Sequence, residues 1–148
     1  MREAFSIITA VFVIIIMATV AGFIVSLSGK MVQGTTVQFQ REQSMLLAKS
    51  YTEYAILAVT GNEHNSSNCL NSIHGDYGIY SIDVNISYIA NTATTLDASC
   101  TNVLSSSVTT PKSPLNIIVD VDVSYPILDH PVDPAPRMHY RRRSLQKI

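Results

Sequence analysis

Residues Phe5 to Leu27, FSIITAVFVIIIMATVAGFIVSL, carry no charged side chain, and this run constrains the chain more than any other feature. Its polar atoms belong to Ser6, Thr9, Thr19 and Ser26, whose hydroxyls can bond back to a helix backbone. A bilayer core is crossed by roughly 20 apolar residues in a helix, so the run is long enough. A helix on the surface of a globular core keeps a polar stripe, and none is present here. The stretch therefore reads as a membrane or membrane-like helix, and the remainder of the chain reads as something tethered to it.

About 120 residues remain beyond that helix, enough for one small domain with a real core and too few for two. The net charge of −1 provides no global field to steer nucleic acid or acidic substrates. The charge is uneven, because Arg137, Arg141, Arg142, Arg143 and Lys147 are half of the 10 basic residues. The two cysteines, Cys69 and Cys100, both lie beyond the apolar run. Two cysteines in a small exported domain pair more often than not, which stabilises by roughly 2–4 kcal/mol; the alternative is two separate buried thiols. The disulfide is expected, because the helix implies export.

The chain starts Met1-Arg2-Glu3-Ala4 and turns apolar at once. A secretory signal peptide calls for a more basic start and a small-x-small cleavage site. Thr19 and Ala21 offer such a site weakly, before Gly22, but the apolar run continues past it to Leu27. The stretch Ala4-Phe5-Ser6-Ile7-Ile8, with its very short charged leader, resembles instead the N-terminus of type IV pilins and pseudopilins. The resemblance covers roughly the first thirty residues. It implies cleavage by a prepilin peptidase between Ala4 and Phe5 and methylation of the new amine. Two positions depart from the family pattern. Ala4 stands where the family has mostly Gly, and Thr9 stands where the mature helix has mostly Glu. In the family that Glu is thought to neutralise a neighbouring subunit's free amine, an unpaired charge being costly in an apolar filament core. Thr9 cannot do so, which shifts the reading from a repeated major subunit towards a minor or tip one.

From Gly29 to Thr60 no proline occurs, and Val32, Phe39, Leu46, Leu47, Tyr54 and Leu57 recur at helical spacing, so the helix is expected to continue. Gly61-Asn62 is a good stop. Such a helix would be about 80 Å long at about 1.5 Å per residue. Gly22, Gly29 and Gly34 weaken its middle, and two helices with a break near 29–34 would serve the same architecture. Beyond an Asn/Ser-rich loop, residues 80–89 and 115–125 alternate apolar with polar, the pattern of half-buried strands. A weaker strand lies around 101–109. Three antiparallel strands against the amphipathic half of the helix make an α+β fold, pilin-like in outline. The expected divisions are a leader at 1–4 and a transmembrane or filament-core helix at 5–28. An amphipathic continuation covers 29–61, and a small antiparallel β domain covers 62–126. Residues 127–148 read as a Pro-rich and then basic tail, since Pro126, Pro131, Pro134 and Pro136 exclude regular structure until about Arg137.

Candidate chemistry is sparse. His64, Cys69, His74 and Asp76 lie close in sequence, but their spacing matches no zinc pattern and they read as loop residues. Asp83, Asp120 and Asp122 fall on the wet face of the strands without the spacing of a calcium loop. A solvated face is the reading taken, with no cofactor and calcium kept as the lesser alternative, since some pseudopilins bind it. Sequons occur at Asn65 and Asn85, each with an acid two places upstream; Asn/Ser-rich loops produce them by chance, which is the reading taken, and of the two Asn65 is the better candidate because it lies in a loop. Arg141, Arg142 and Arg143 are possible contacts for phosphate or DNA, although a terminal basic run is more often solvated or docked on an acidic neighbour. No nucleophile–base pair or phosphate loop has a recognisable setting, so no enzyme is expected.

The reading is a pilin-like structural subunit, a minor pilin or pseudopilin of a type IV pilus or type II secretion-like filament. Its partners are the bacterial inner membrane, the prepilin peptidase and other subunits, with the β domain on the extracytoplasmic side. The rivals are a non-polymerising single-pass protein with an extracytoplasmic binding domain, and a DNA-binding minor pilin.

Overall fold

A computed structural model describes residues 2–62, 69–91, 96, 100–108, 115–127 and 136–148, with side chains from Ile7 onward. The order of elements is α1 (Arg2–Gly61), β1 (Ser72–Tyr77), β2 (Tyr80–Ala90), β3 (Val103–Ser105), β4 (Leu115–Pro126) and β5 (Arg137–Lys147). The helix runs through the region of Gly29 and Gly34 without the break that those glycines allowed. The chain divides into two compact units, Met1–Gln40 and Arg41–Ile148.

The first unit is helix alone. Several of its hydroxyls return to the helix: Thr19 Oγ1 donates to the Ile16 carbonyl at 2.8 Å, and Ser28 Oγ donates to that of Ile24 at 2.9 Å.

In the second unit the period-two alternation dictates the core. On β2, Tyr80, Ile82, Val84, Ile86, Tyr88 and Ala90 are buried. On β4, Leu115, Ile117, Val119, Val121, Val123 and Tyr125 are buried. These rows pack on the end of α1 through Ala48, Ala55 and Val59. The helix face involved overlaps only in part with the one that its large apolar residues suggested: Leu47 packs against the core, half-buried. Ser44, Ala48, Thr52, Ala55 and Val59, spaced four, four, three and four apart, are the buried ones, whereas Leu46, Tyr54 and Leu57 are exposed at 58, 55 and 69%. The strands already fill the interior with tyrosine and isoleucine, so a stripe of mostly small side chains comes closest to them, flanked by the half-buried Leu47, Tyr51 and Ile56. The hydroxyls on that stripe are satisfied within the helix, Thr52 Oγ1 donating to Ala48 O at 2.7 Å and Ser44 Oγ to Arg41 O at 2.7 Å.

The sheet has five strands rather than three, in the order β1-β2-β4-β5, with β3 also on β2. β1 and β2 form a hairpin around Gly78-Ile79, where Gly78 takes φ +59° at the first central position of the turn. β3 is parallel to β2, not antiparallel, and pairs with its C-terminal end on the edge that β1 occupies further back. The Cys69–Cys100 disulfide holds the approaches to β1 and β3 together. Asn71 works beside it, accepting the Thr101 N–H on Oδ1 at 3.0 Å and the Ile86 N–H on its carbonyl at 2.9 Å. The buried Tyr88 donates its hydroxyl to Leu70 O at 2.6 Å, and burial raises that phenol above its usual range. Closing a loop over a separation of 31 residues contributes about 3–4 kcal/mol in the chain-entropy account.

The segment read as a basic tail is β5, paired with β4 over its whole length from Pro126↔Arg137 to Asn116↔Lys147. Strand pairing overrides the compositional reading because an ordered, acid-bearing strand already offers an edge.

Gly75 on β1 lies under the Tyr51 ring of α1, and a Cβ there would collide with the phenol. Gly75→Ala is expected to lower the stability of the full chain in detergent by about 1–3 kcal/mol through overpacking. An unchanged denaturant midpoint would mean that the ring is free to swing away.

Candidate functional site

Two surfaces stand out among the described residues. The first is the apolar helix of the first unit. Ile7, Phe12, Ile14, Met17, Phe23 and Val25 are all exposed, together with the other large side chains around the helix, and none of the most hydrophobic window is buried. The mean hydropathy of that window is 2.8, and the helix is long and apolar enough to cross a membrane. A continuous apolar surface of this kind suggests membrane association. Thr9 lies on this exposed helical surface. Ala4 and Phe5 are within α1, but their side chains lie outside the described residues.

The second surface is the face of the sheet turned away from the core. Because side chains alternate along each strand, the register assembles cross-strand rows. One row reads His74, Asp83, Asp122, Arg141 across β1, β2, β4 and β5. The next reads Ser72, Asn85, Asp120, Arg143. Asp83 directly opposite Asp122 is a like-charge pair, unfavourable alone. Each is offset on its outer flank. His74 Nδ1 lies 2.7 Å from Asp83 Oδ1, and Asp122 Oδ2 lies 3.2 Å from His139 Nδ1 and 3.5 Å from Arg141 Nε. The geometry is best at Arg143, which grips Asp120 with Nε at 2.6 Å and Nη2 at 2.9 Å, the planar fork matched to a carboxylate. That hydrogen bond, and then the charge of Asp120, raises the Arg143 guanidinium above its ordinary value. Asp83, Asn85, Asp120, Asp122, Arg141 and Arg143 line a shallow groove of about 550 Å³.

The structure sorts the residues that the sequence singled out. The three arginines do not act as one patch: Arg141 and Arg143 lie on the open face against carboxylates, and Arg142 points to the other side, opposite Val121. Arg142 Nε is buried without a hydrogen-bond partner. Asn85 lies on β2 with β1 and β4 on its two edges, an extended and fixed backbone rather than a loop. Asn65 and His64 fall outside the described residues. Cys69 is in the disulfide and His74 is paired with Asp83 and Asp76. Among the described residues, no group of three or more His, Cys, Asp or Glu is placed to hold a metal ion.

Sequence reasoning missed the charge ladder, although its signal is present. Asp120 and Asp122 are two apart, as are Arg141 and Arg143, so a single antiparallel register satisfies both pairs.

The hydrogen bond to Asp83, and then the charge of Asp76, raise the His74 pKa above 6.5. The folded state thus favours protonated His74. Its contribution to stability is complete below pH 6.5 and is lost as pH rises through the raised value. An NMR titration is expected to give His74 a midpoint above 6.5, falling back towards 6.5 in Asp83→Asn. An unchanged midpoint in that variant would rule out the Asp83 bond as the cause.

No protein-family model matches the chain, and no curated protein or solved structure matches it either.

Proposed function

We propose that this chain is a pilin-like structural subunit, a minor pilin or pseudopilin of a type IV pilus or type II secretion-like filament. The observation that carries the reading is the wholly exposed apolar surface of α1 on a chain that also bears a disulfide-tied sheet packed on α1. A membrane anchor needs that surface for lipid, and a filament subunit uses the same surface twice, first in lipid and then against neighbouring helices. The exposed Leu46, Tyr54 and Leu57 add support, because a helix that served only to span a bilayer and hold its domain has no use for them.

The Ala4-Phe5 junction marks the expected site of processing by a prepilin peptidase in the bacterial inner membrane, with the sheet on the extracytoplasmic side. Thr9, in place of the usual charge-neutralising Glu, suits a subunit with no other ahead of it, as at a tip. The work done is assembly, not catalysis.

The mass and N-terminal residue of the chain from its native membrane decide the matter. The expected product begins at N-methylated Phe5. A chain that keeps Met1 to Ala4 would indicate a single-pass anchor that never polymerises, and a start at Gly22 would indicate a secreted domain.

A further inference from the structure

β5 is the last strand of the sheet, and its far side has no strand neighbour among the described residues. The hydrogen-bonding phase is set by its two ends, where Ile127 N donates to Pro136 O and Ile148 N donates to Leu115 O. In an antiparallel ladder the bonded pairs alternate, so the even-numbered residues of β5 face β4. Arg137, His139, Arg141, Arg143, Leu145 and Lys147 therefore turn their N–H and C=O groups outward. That is a long, regular template of the kind on which strand addition occurs.

The side chains decide what this template accepts. The strand carries Arg137, Arg141, Arg142, Arg143 and Lys147 and no acid. A second β5 laid against it would put arginine against arginine, so the edge is guarded against its own copies. An acidic strand meets the opposite situation, and the inner edge of β5 already shows the arrangement: alternate aspartates of β4 face alternate arginines at Asp120–Arg143 and Asp122–Arg141. Those arginines, Arg141 and Arg143, keep 80 and 76% of their side chains exposed and retain donors for a second carboxylate. On the other side, Arg142 is opposite an apolar residue, and its Nε lacks a partner.

We propose that the outer edge of β5 is a docking site for an extended acidic segment of a partner protein, added as a further strand of the sheet. Main-chain bonds to the outward groups hold the segment, and carboxylates at alternate positions against Arg141 and Arg143 select it. The same cations suit nucleic acid less well. Arg141 and Arg143 are already matched by aspartates, Arg137 is bonded to Ser124 and Arg142 lies on the opposite face, so little unmatched charge faces a phosphate backbone. The proposal stands independently of filament assembly.

The test uses the full chain in detergent micelles and a labelled peptide as long as β5 that alternates Thr and Glu. Fluorescence anisotropy is expected to show it binding about tenfold or more tightly than a Thr/Lys peptide, and weakening with salt. Backbone N-methylation of the acidic peptide, which leaves its charge intact, is expected to abolish binding. Hydrogen exchange is expected to slow at the outward amides of His139, Arg141, Arg143 and Leu145 on addition of peptide. Leu145→Pro removes one outward donor at a position not bonded to β4, and is expected to abolish binding with the melting curve retained. Equal binding of the N-methylated peptide would overturn the proposal by reducing it to charge attraction. Duplex DNA binding where the acidic peptide does not would overturn it in favour of a nucleic-acid surface. Protection of the same amides without peptide, rising with protein concentration, would overturn it in favour of a second copy.

Discussion

Everything in the second unit depends on the close packing of two half-buried strands against a stripe of small side chains on α1. β2 and β4 point tyrosine, isoleucine and valine at the helix, and Ser44, Ala48, Thr52, Ala55 and Val59 leave them room. Burying such a surface stabilises by about 25 cal/mol per Å² of apolar area, and polar atoms are admitted there only because the helix backbone satisfies them. With the inner faces used in this way, the outer faces of the same strands are left to polar residues. The charge ladder is thus the reverse side of the core, and its register is inherited from it.

The two edges of the sheet are treated differently. On one side the disulfide, Asn71 and the Tyr88 hydroxyl bring β1 and β3 onto the same edge of β2. On the other, β5 is held by ladder bonds to β4, by ion pairs, by Arg137 bonding to Ser124 and by Tyr140 packed on the core, and most of its side chains remain in water. Exposed ion pairs are individually weak, so backbone pairing carries much of the attachment. A strand joined in this way is stable yet open, the combination that an interaction edge requires.

Much of the fold was legible in the residues. The uncharged run 5–27, the alternation in β2 and β4, and the pairing of the two cysteines each rest on local chemistry that tertiary context does not reverse. The buried helix face was not legible in the same way. Leu46, Tyr54 and Leu57 look like a core stripe to any rule that ranks residues by hydrophobicity, but volume decides where the opposing face is already full. β5 was hidden for a related reason: Met138 and Tyr140 face inward at its start, but Arg142, Ser144 and Gln146 follow at the inward positions, so over its second half the apolar alternation is lost. The ladder on the open face became visible only with the register, because Asp83, Asp122 and Arg141 are remote in sequence and adjacent only across strands.

By itself, then, the sequence determined a helix able to cross a membrane, an α+β domain behind it and the face on which each inner strand is dry. Those properties come from side-chain periodicity and from the cost of exposing apolar surface or burying charge. The tertiary structure alone decided which side of α1 the sheet covers, that the basic segment becomes a strand, and which carboxylate meets which cation. Each of these depends on shape and register, quantities that exist only once two elements have met.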